Sequence, residues 1–480
     1  MKPLLPIVPL LALCMPAHAA VASPSLSLNP VCPPGLYTAD PEARVMPDGR
    51  LYLYGSRDEP GTAWCSRSYN VMSTADMKTW WNDAMTFATD GPAKQTDYTS
   101  SVIYAPDCIF RNGKYYLYYC LASGGENEGV AVGDSPIGPF KAGKKIAGIS
   151  GIDPAVFVDD DGQAYLYWGQ SSASCATLTK DMTAIDRATI RHGIVVHRGS
   201  GYVEKPGAAL AAREHWFNEG SSVRKRNGVY YYVYAQGGRH GRDCCSCLAY
   251  ATADNPLGPF VYRGVIVDNF GSGPNLVNNH GSIAEFGGRW YVFYHRPTHA
   301  TSSMRKVCVE PIAFNADGSI DEVPMTTQGA GGPMDPLVRM DAARACLMSG
   351  HVRVREHRPA CDLVVERLDG IRSGDTATWR YFDFTGKNVA GFTCKTVGKT
   401  VPGTIGIHAD KPDGELLGTC DVRADEPGTA FTRHTATINP VSGVHAVVFV
   451  FKAADPAATS DLFSLEWFRF ETSGPTPESR

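Results

Sequence analysis

Five segments of the chain repeat one pattern of apolar and polar positions. In each, an apolar run is followed by a polar turn containing glycine, and then by a second run rich in tyrosine, tryptophan and valine. The segments read ARVMPDGRLYLYGS, DCIFRNGKYYLYYC, AVFVDDDGQAYLYWG, SSVRKRNGVYYYVYA and SIAEFGGRWYVFYHR. Asp-Gly and Asn-Gly pairs tolerate the positive φ angles of tight turns, so each segment predicts a β-hairpin.

The spacing of these hairpins leaves room for two further strands in each repeat. The turn glycines are Gly49, Gly113, Gly162, Gly228 and Gly288, which lie 49 to 66 residues apart. This is the size of a four-stranded propeller blade, so five repeats predict a five-bladed β-propeller. Runs such as YYLYY and YYYVY are typical of strands buried on both faces. We therefore interpret their aromatic residues as packing between blades rather than as sugar platforms.

A different pattern follows the last hairpin. The Gly/Pro-rich stretch TTQGAGGPMDP, at residues 326–336, is typical of a linker between domains. Beyond it, shorter alternating strands read WRYFDF, TIGIHAD, FTRHTATI, HAVVFVFK and LFSLEWFRF. Such strands, separated by turn residues, predict a β-sandwich of jelly-roll type. The predicted fold is thus all-β, with a propeller at residues 30–325 and a sandwich at residues 337–472.

The first nineteen residues have the pattern of a cleaved secretory signal. They carry one lysine, an apolar run over residues 4–15 and the small-residue site Ala17-His18-Ala19. The run is too short and too interrupted by proline to span a bilayer as a helix. We expect a secreted or periplasmic protein without membrane insertion.

The distribution of charge indicates no nucleic-acid partner. The 45 basic and 49 acidic residues give a net charge of −4 and are interspersed along the chain. A protein that binds a polyanion normally presents a basic face or stripe.

Fourteen cysteines in an exported chain favour disulfide bonds. The cluster Cys244-Cys245-Ser246-Cys247 is not followed by a second Cys/His pair at the spacing of a zinc site, so disulfides are the preferred interpretation. Reasonable pairs within the second domain are Cys346 with Cys361 and Cys394 with Cys420.

Counting back from the turn glycines locates the residue that opens each hairpin. This position lies nine residues before the first four glycines and eight before the last. The innermost strands of a propeller line its central channel, so equivalent positions at their openings converge on one axis. The residues found in this way are Asp40, Tyr104, Asp153, Glu219 and His280.

Three carboxyl groups at one axis favour acid–base chemistry. Like charges in a partly dry cavity resist joint ionisation, which raises at least one pKa. One carboxyl can then stay protonated as general acid while another, ionised, serves as base, the recurring design for cleaving a glycosidic bond. An Asp before Pro can also simply cap a turn, and His280 taken alone is as readily a core residue as a ligand. The shared offset favours the catalytic interpretation.

The five hairpins with their flanks resemble glycoside hydrolase family 43. The resemblance covers about residues 30–325 and rests on ADPEARVMPDGRLYLYGS, YAPDCIFRNGKYYLYY, GIDPAVFVDDDGQAYLYWG, FNEGSSVRKRNGVYYYVYA and NNHGSIAEFGGRWYVFYHR. It implies a five-bladed propeller that hydrolyses arabinofuranosides or xylosides with inversion.

The resemblance also assigns roles. It implies that Asp40 is the general base, Asp153 an auxiliary carboxylate that raises the pKa of the acid and orients it, and Glu219 the general acid. One departure is visible, since family members usually carry proline two residues after the acid and this chain has Ser221.

Further residues of the pocket follow from the same resemblance. The family often holds calcium or another cation near the axis beside a histidine, which His280 matches. An arginine from a late strand commonly enters the sugar pocket. Arg305 matches best and Arg296 is the rival, while Tyr104 is expected to bind substrate.

Residues 337–472 resemble carbohydrate-binding module family 6, notably in TATWRYFDF, VSGVHAVVFVFK and LFSLEWFRF. In that family two aromatic side chains grip a sugar ring, and Tyr381 and Phe431 are the nearest counterparts. Ser464 stands where binding members usually carry Asn, which removes a hydrogen bond to the sugar. Carbohydrate binding and a mainly structural role both remain open for this domain.

These features together favour a secreted inverting glycosidase that acts on arabinose- or xylose-containing polysaccharides or oligosaccharides of plant cell walls. An α-L-arabinofuranosidase is the leading expectation and a β-D-xylosidase the next. The alternative from another class is a lectin-like propeller that binds glycans without cleaving them. The three carboxyls argue against the lectin, because a pure binding site gains nothing from mutually repelling charges.

Overall fold

The computed structural model describes most of the chain from residue 28 to residue 472. Within that range it leaves out residues 61–63, 123–124, 126, 197–215, 241–243, 275–277, 300, 302, 361–362, 398–400 and 425–430. The expected signal at residues 1–19 lies outside the described residues. In the described part of the chain, no helix is both long enough and apolar enough to cross a membrane.

The first twenty strands of the described chain build five blades, numbered I to V. Those of blades I to III are β1 (Thr38–Val45), β2 (Leu51–Arg57), β3 (Ser68–Thr74), β4 (Trp81–Ala88), β5 (Asp107–Arg111), β6 (Lys114–Cys120), β7 (Glu128–Gly133), β8 (Lys141–Lys145), β9 (Ala155–Val158), β10 (Ala164–Trp168), β11 (Ser174–Thr177) and β12 (Arg191–His192). Those of blades IV and V are β13 (Val195–Val196), β14 (Trp216–Arg226), β15 (Val229–Gly237), β16 (Cys247–Ala253), β17 (Phe260–Asp268), β18 (Gly281–Phe286), β19 (Arg289–Pro297) and β20 (Arg305–Ile312).

Each predicted hairpin forms the first two strands of a blade. The pairs β1–β2, β5–β6, β9–β10, β14–β15 and β18–β19 are all antiparallel. Further strands follow outward in order, with β13 added beside β17 in blade IV. A short 3-10 helix, Arg187–Thr189, precedes β12. The prediction of an all-β chain with a propeller is confirmed.

Aromatic residues fill the spaces between blades. Along β6, Tyr115 and Tyr119 lie in the apolar cluster between blades I and II, whereas Tyr116 and Tyr118 lie in the cluster between blades II and III. Similar clusters separate blades III and IV, IV and V, and V and I. Successive side chains of a strand point to opposite faces, so a continuous aromatic run packs against both neighbouring blades, as the sequence predicted.

The ring closes where the first blade meets the last. Thr38 of β1 pairs in parallel with Lys306 of β20, which joins β1–β4 and β18–β20 into one continuous sheet path. Nearby, the Val31 amide donates to the Val307 carbonyl at 2.9 Å. We call this contact line between β1 and β20 the seam.

A buried group of ion pairs fills the axis below the openings of the inner strands. Arg44 binds Asp107 through two nitrogens, at 2.9 and 2.5 Å, and lies 3.3 Å from Glu42. Arg224 donates to Glu42 at 2.6 Å. These four residues, the hub cluster, come from β1, β5 and β14. Two carboxylates face two guanidinium groups, so the cluster is balanced in charge.

The remaining strands form a sandwich. They are β21 (Met340–Asp341), β22 (Leu347–Met348), β23 (Arg353–Ala360), β24 (Leu363–Asp369), β25 (Thr376–Asp383), β26 (Gly391–Val397), β27 (Gly403–Ala409), β28 (Leu416–Val422), β29 (Phe431–Thr437), β30 (Val444–Ala453) and β31 (Ser464–Glu471). One sheet has the order β23-β24-β31-β26-β29, with β21 beside β31, and the other has the order β22-β25-β30-β27-β28. A 3-10 helix, Ala342–Arg344, follows β21. Between the sheets, Trp379 of β25 packs on Phe468 of β31, with ring centroids 4.8 Å apart.

The stretch predicted as a linker is packed against both domains. The Thr327 amide donates to the Arg380 carbonyl at 2.7 Å, and the Met334 amide donates to the Tyr381 carbonyl at 2.8 Å. On the propeller side, the Asn29 amide donates to the Thr327 carbonyl at 2.8 Å. The connection therefore holds the sandwich in place through its backbone.

Candidate active site

A cavity of about 230 Å³ opens at the axis of the propeller. It lies on the face where the inner strands begin, directly above the hub cluster. Its lining combines carboxyls, amides, a guanidinium and aromatic rings. The lining residues are Asp40, Trp64, Cys65, Tyr104, Ile152, Asp153, Gln170, Glu219, Asn278, His280 and Arg305.

Asp40 is fixed by blade V. The Arg305 guanidinium donates to Asp40 Oδ1 at 2.8 Å. The Asp40 amide donates to Nδ1 of His295 at 3.1 Å, which makes that nitrogen an acceptor. Nε2 of His295 is then the protonated nitrogen and faces the Asn278 side-chain oxygen at 3.1 Å. Backbone and side chain of Asp40 are thus both held from across the seam.

Arg305 is itself held rigidly. Its Nε and Nη2 bind the two oxygens of Asp58, each at 2.9 Å, and its guanidinium lies 5.0 Å from the centre of the Trp64 ring. Arg305 and Asp58 are both buried. A bidentate pair of this kind fixes the plane of the guanidinium, so its remaining nitrogen is aimed at Asp40.

His280 lies between two carboxylates. Its Nδ1 is 3.6 Å from Asp40 Oδ1 and 3.7 Å from Asp153 Oδ2. Burial lowers the pKa of His280 to about 4, because desolvation outweighs the attraction of Asp40. The ring is therefore neutral at pH 7 and separates the two carboxylates without cancelling their charge.

Glu219 is held by two side-chain amides. Gln170 donates to Glu219 Oε2 at 3.2 Å, and Asn278 donates to Oε1 at 3.3 Å. Asn278 also contacts His295, so a chain of hydrogen bonds connects Glu219 with the backbone of Asp40. The carboxyl is half-buried and faces the cavity.

The three carboxyls have different protonation behaviour. Burial alone would raise the pKa of Asp40, yet the Arg305 guanidinium holds it well below its usual range. Burial and the Glu219 carboxylate raise the pKa of Asp153. Burial and the Asp40 charge raise the pKa of Glu219, against the opposing effect of its two amide donors. One carboxyl is therefore ionised, and the other two form a pair that retains a proton more strongly.

Local backbone geometry aims these side chains at the axis. Asp40 and Asp153, each followed by proline, have φ angles of 54° and 59°, in the left-handed region that few residues other than glycine adopt. In β1 the register shifts between Ala39 and Glu42, around Asp40. A bulge re-aims a side chain and bends its strand. Strained positions of this kind concentrate at functional sites.

Glu219 is supported differently from the two aspartates. The register of β14 shifts on both sides of Glu219. Gly220 has φ +81°, and a Cβ there would lie 3.1 Å from the His280 ring. The Ser221 hydroxyl is 2.6 Å from the Tyr232 hydroxyl. Gly220 permits the left-handed backbone directly after the acid, and Ser221, where family members usually carry proline, is held through its side chain.

The family model for glycosyl hydrolases family 43 matches residues 28–320. The chain belongs to this family. It is accordingly a glycosidase, and the carboxyl cavity lies where the inner strands of the family 43 propeller open.

Two relatives illustrate the similarity over the whole chain. The arabinoxylan arabinofuranohydrolase of Bacillus subtilis (strain 168) is 30% identical, over 96% of this chain and 97% of its own. A crystal structure of a family 43 arabinoxylan arabinofuranohydrolase from Bacillus subtilis, in complex with cellotetraose, superposes with a TM-score of 0.51 at 26% identity. It covers 93% of this chain and 99% of that chain.

A third relative matches the propeller. The family 43 β-xylosidase/α-arabinofuranosidase from a compost microbial metagenome, crystallised with xylotriose in a calcium-free form, has a TM-score of 0.53 at 30% identity. It covers 63% of this chain and 99% of that chain. The model for carbohydrate binding module family 6 matches residues 365–472 of the sandwich.

The structure brings the propeller residues expected from the sequence into one family 43 cavity. They are Asp40, Tyr104, Asp153, Glu219, His280 and Arg305. Arg296, the rival of Arg305, lies elsewhere: it is fully buried against Cys308 and donates to the Thr326 carbonyl at 2.8 Å. The geometry therefore favours Arg305, and the catalytic roles themselves remain predictions.

Four polar residues that hold the charged groups of the site were not anticipated from the sequence. They are Asp58, Gln170, Asn278 and His295. Asp58 and Gln170 follow the second strands of their hairpins, nine and eight residues after the turn glycine, and His295 is seven residues after its own. Antiparallel strands return to the face from which they start, so counting forward from each glycine would have located Asp58, Gln170 and His295.

The donor set around the axis does not by itself form a calcium site. Calcium takes ~6–8 oxygen ligands, whereas His280 offers one nitrogen and Asp40 Oδ1 already faces Arg305. Among the described residues there is no group of three or more His, Cys, Asp and Glu side chains placed to hold a metal ion. The expected cation near His280 remains a prediction.

The two aromatic residues proposed for the sandwich lie at opposite ends of it. Phe431 pairs with Val397, which pairs with Ser464, at one end. Tyr381 lies at the other end, beside the connection to the propeller, where its backbone carbonyl accepts a hydrogen bond from the Met334 amide. Phe431 is exposed under Lys395, whose ammonium is 4.5 Å from the ring centre. The structure thus does not bring the two rings together as a clamp.

The described cysteines of the sandwich, Cys346, Cys394 and Cys420, are free thiols. Cys394 and Cys420 are nevertheless in contact, and the hydrogen bond between their thiols, with burial, raises the pKa of Cys394. Cys346 is buried against blades IV and V, and its expected partner Cys361 lies outside the described residues. The disulfides therefore stay predictions, with Cys394 and Cys420 already adjacent.

Proposed function

We propose that the protein is an inverting glycosidase that removes α-L-arabinofuranosyl groups from arabinoxylan or its oligosaccharides. The observation that carries the proposal is the uneven charge of the three carboxyls in one cavity. Asp40 is kept ionised by Arg305, while Asp153 and Glu219 share an environment that favours a proton. Hydrolysis by inversion requires this division into a base and an acid.

In this proposal Asp40 acts as general base. Its ionised carboxylate accepts a proton from the attacking water, while Arg305 and His295 hold it in a single orientation. Glu219 donates its proton to the departing glycosidic oxygen and is positioned by Gln170 and Asn278. Asp153, next to this acid, makes a second negative charge unfavourable and so keeps the proton on the pair.

The shape of the site supports the removal of a side group from a longer chain. The cavity of about 230 Å³ is of a size to enclose a single sugar ring. A groove of about 510 Å³ adjoins it and shares Trp64, Cys65 and Tyr104 with it. The sugar to be released would occupy the cavity, and the remainder of the substrate would leave through the groove. The similar Bacillus subtilis enzymes, named for arabinoxylan, support this substrate class.

A β-D-xylosidase is the second candidate. The compost relative is named for both β-xylosidase and α-arabinofuranosidase activity. Both sugars are pentoses, and the catalytic carboxyls distinguish little between them.

Hydrolysis of defined substrates tests the proposal. Purified protein is incubated with aryl α-L-arabinofuranoside, aryl β-D-xyloside, and arabinoxylan and xylan oligosaccharides, with Asp40→Asn, which lacks the proposed base, as the inactive control. We expect arabinose as the main product from arabinoxylan. Release of xylose alone would favour the second candidate. Binding without any release would favour the lectin-like alternative.

The stereochemistry is tested in the same reaction by proton NMR. Inversion predicts that the first anomer of the released sugar has the configuration opposite to that of the bond cleaved. Retention of configuration would contradict the assigned role of Asp40.

Export and cation binding are tested separately. Export with removal of residues 1–19 predicts a mature protein whose N-terminus begins at Ala20, as measured by Edman or mass-spectrometric sequencing; an intact Met1 would contradict it. The proposed cation near His280 predicts calcium in metal analysis of the purified protein and its loss in His280→Ala. Absence of the metal from fully active enzyme would exclude it.

A further inference from the structure

The seam of the propeller passes through the catalytic site. Asp40 belongs to β1 and Arg305 to β20, so the 2.8 Å contact between them crosses the closure of the ring. The Asp58–Arg305 pair crosses the same line. Any opening of the seam would separate the base from the cation that keeps it ionised.

A carboxylate of the sandwich bridges the two sides of this seam. Glu366, on β24, accepts a hydrogen bond at 2.5 Å from Lys306, the neighbour of Arg305 in blade V. It also accepts one at 3.3 Å from the amide of Gly35, in the segment that leads into β1. The Lys306 ammonium further donates to the Pro33 carbonyl at 3.2 Å, which adds to the same bridge.

A second carboxylate of the sandwich holds the start of β1. The Tyr37 hydroxyl, three residues before Asp40, donates to Glu356 of β23 at 2.5 Å. His299 completes the contact, with its Nε2 at 3.3 Å from the Tyr37 hydroxyl and 3.6 Å from Glu366. Burial lowers the pKa of His299 to about 3, so the ring is a neutral spacer.

These contacts are buried, unlike ordinary surface ion pairs. The side chains of Lys306 and Glu366 are 2% and 9% exposed. Buried charges must be paired, and removing one partner leaves the other strongly disfavoured. The position of Lys306, and with it that of Arg305, therefore depends on a residue from the other domain.

We infer that the sandwich is a clasp for the catalytic site: Glu366 and Glu356 hold Lys306 and Tyr37 and thereby keep Asp40 and Arg305 in register across the seam. Glu366 is in this sense a positioning residue. The inference rests on the proposed glycosidase function for its kinetic readout. It assigns the domain a role that requires no bound sugar, consistent with the separation of Tyr381 from Phe431.

A matched pair of variants tests the clasp. Glu366→Gln removes the bridging charge, and Glu466→Gln is the control. Glu466 lines the same interdomain cavity of about 200 Å³, but its partners Lys395 and Arg367 belong to the sandwich. Each variant is assayed on the aryl glycoside that the wild type hydrolyses. Hydrogen exchange is followed by mass spectrometry on peptides covering residues 36–42 and 303–309.

If the sandwich acts as a clasp, Glu366→Gln and Glu466→Gln should differ in kcat and in hydrogen exchange at the seam. In Glu366→Gln, kcat should fall about tenfold or more with KM within about twofold, because a displaced base weakens the transition state rather than substrate binding. Both seam peptides should exchange faster than in the wild type. Glu466→Gln should change neither kcat nor these peptides. Glu366→Asp, which retains the charge, should recover part of the lost kcat.

Two results would overturn the clasp. One is an equal change of kcat in the Glu366 and Glu466 variants, and the other is unchanged exchange at the seam in Glu366→Gln. If Glu366→Gln does not fold, Glu356→Gln serves instead, since it removes one hydrogen bond and no cation partner. Absence of turnover in the wild type would count against the proposed function alone, because the exchange measurement would still decide whether the sandwich holds the seam.

Discussion

Two groups of carboxylates lie along one axis, and they differ in how fully cations compensate their charge. In the hub cluster, Glu42 and Asp107 face Arg44 and Arg224, so charge is balanced and nearly every oxygen has a donor. In the cavity, Asp40, Asp153 and Glu219 lie near a single guanidinium, that of Arg305, which binds Asp40 and Asp58.

The difference separates a structural cluster from a reactive one. Balanced and buried charges hold the blades together, because each carboxylate has a fixed partner. Burial also raises the pKa of Glu42 in the hub cluster, so an altered pKa does not by itself distinguish the two groups. The cavity carboxyls differ because they lack matching cations and face open space, where they can exchange protons with a substrate. The presence of acids at the axis is therefore not what marks a catalytic centre. What marks it is that cations compensate the charge of these acids only in part.

The largest effect is expected from a pair of variants, one in each layer. Asp40→Asn should lower kcat about a hundred- to ten-thousand-fold, the usual contribution of a general base, with little change in the unfolding midpoint. Glu42→Gln should lower stability and leave kcat per folded molecule near that of the wild type. Steady-state kinetics and urea unfolding of both proteins check this contrast. Comparable kcat losses in the two variants would contradict it.

The next effect concerns the stability of the hub. Arg44→Met leaves Asp107 and Glu42 buried without their shared cation, which should lower the free energy of unfolding by about 3–5 kcal/mol. The Arg50→Met control removes a half-buried guanidinium that donates to a neutral partner, the Ser73 hydroxyl, and should cost about 1 kcal/mol. Urea denaturation followed by tryptophan fluorescence measures both. A loss in Arg44→Met no larger than that in the control would show that the cluster does not support the fold.

A smaller and substrate-dependent effect is expected at Glu219. Glu219→Gln should lower kcat/KM ~100-fold or more on natural oligosaccharides, since a poor leaving group needs protonation. The loss should be much smaller on a dinitrophenyl glycoside, whose leaving group needs none. A plot of log kcat/KM against leaving-group pKa for variant and wild type tests this. Equal losses along the series would remove Glu219 as the acid.

The smallest effect is a shift in pH dependence. Activity requires a proton on the Asp153–Glu219 pair, so it should be present at low pH and be lost as pH rises through the raised pKa of the pair. Gln170→Leu removes an amide that stabilises ionised Glu219, which should raise its pKa further and move the alkaline limb upward by about one unit or less. A downward or absent shift in kcat/KM profiles would contradict this role of Gln170.

Much of the fold was predictable from the sequence, because the hairpin turns and aromatic runs are local signals. The position of each carboxyl followed from its distance to a turn glycine, and the structure places all three in one cavity. Asp58 and His295 could not be found by counting backward, since they lie after or within second strands. The choice between Arg296 and Arg305 depended on which of them faces the cavity, which the sequence alone does not reveal.

The sandwich shows where similarity to a family stops being informative. Tyr381 and Phe431 were chosen because each matched an aromatic position, but strand register puts them at opposite ends of the domain. The contacts of Glu356 and Glu366 with the propeller had no signal in the sequence at all. The Tyr37–Glu356 contact joins residues 319 positions apart, and the Lys306–Glu366 contact joins residues 60 positions apart.

The left-handed backbone at Asp40 and Asp153 constrains which acid each position accepts. Aspartate and asparagine enter this conformation more readily than glutamate does. At Glu219 the following Gly220 takes the unusual φ angle, and a longer acid can be used there. The mixture of two aspartates and one glutamate is thus dictated by the main chain as well as by reactivity. Exchanging Asp for Glu at either aspartate would alter the peptide geometry along with the reach of the carboxyl.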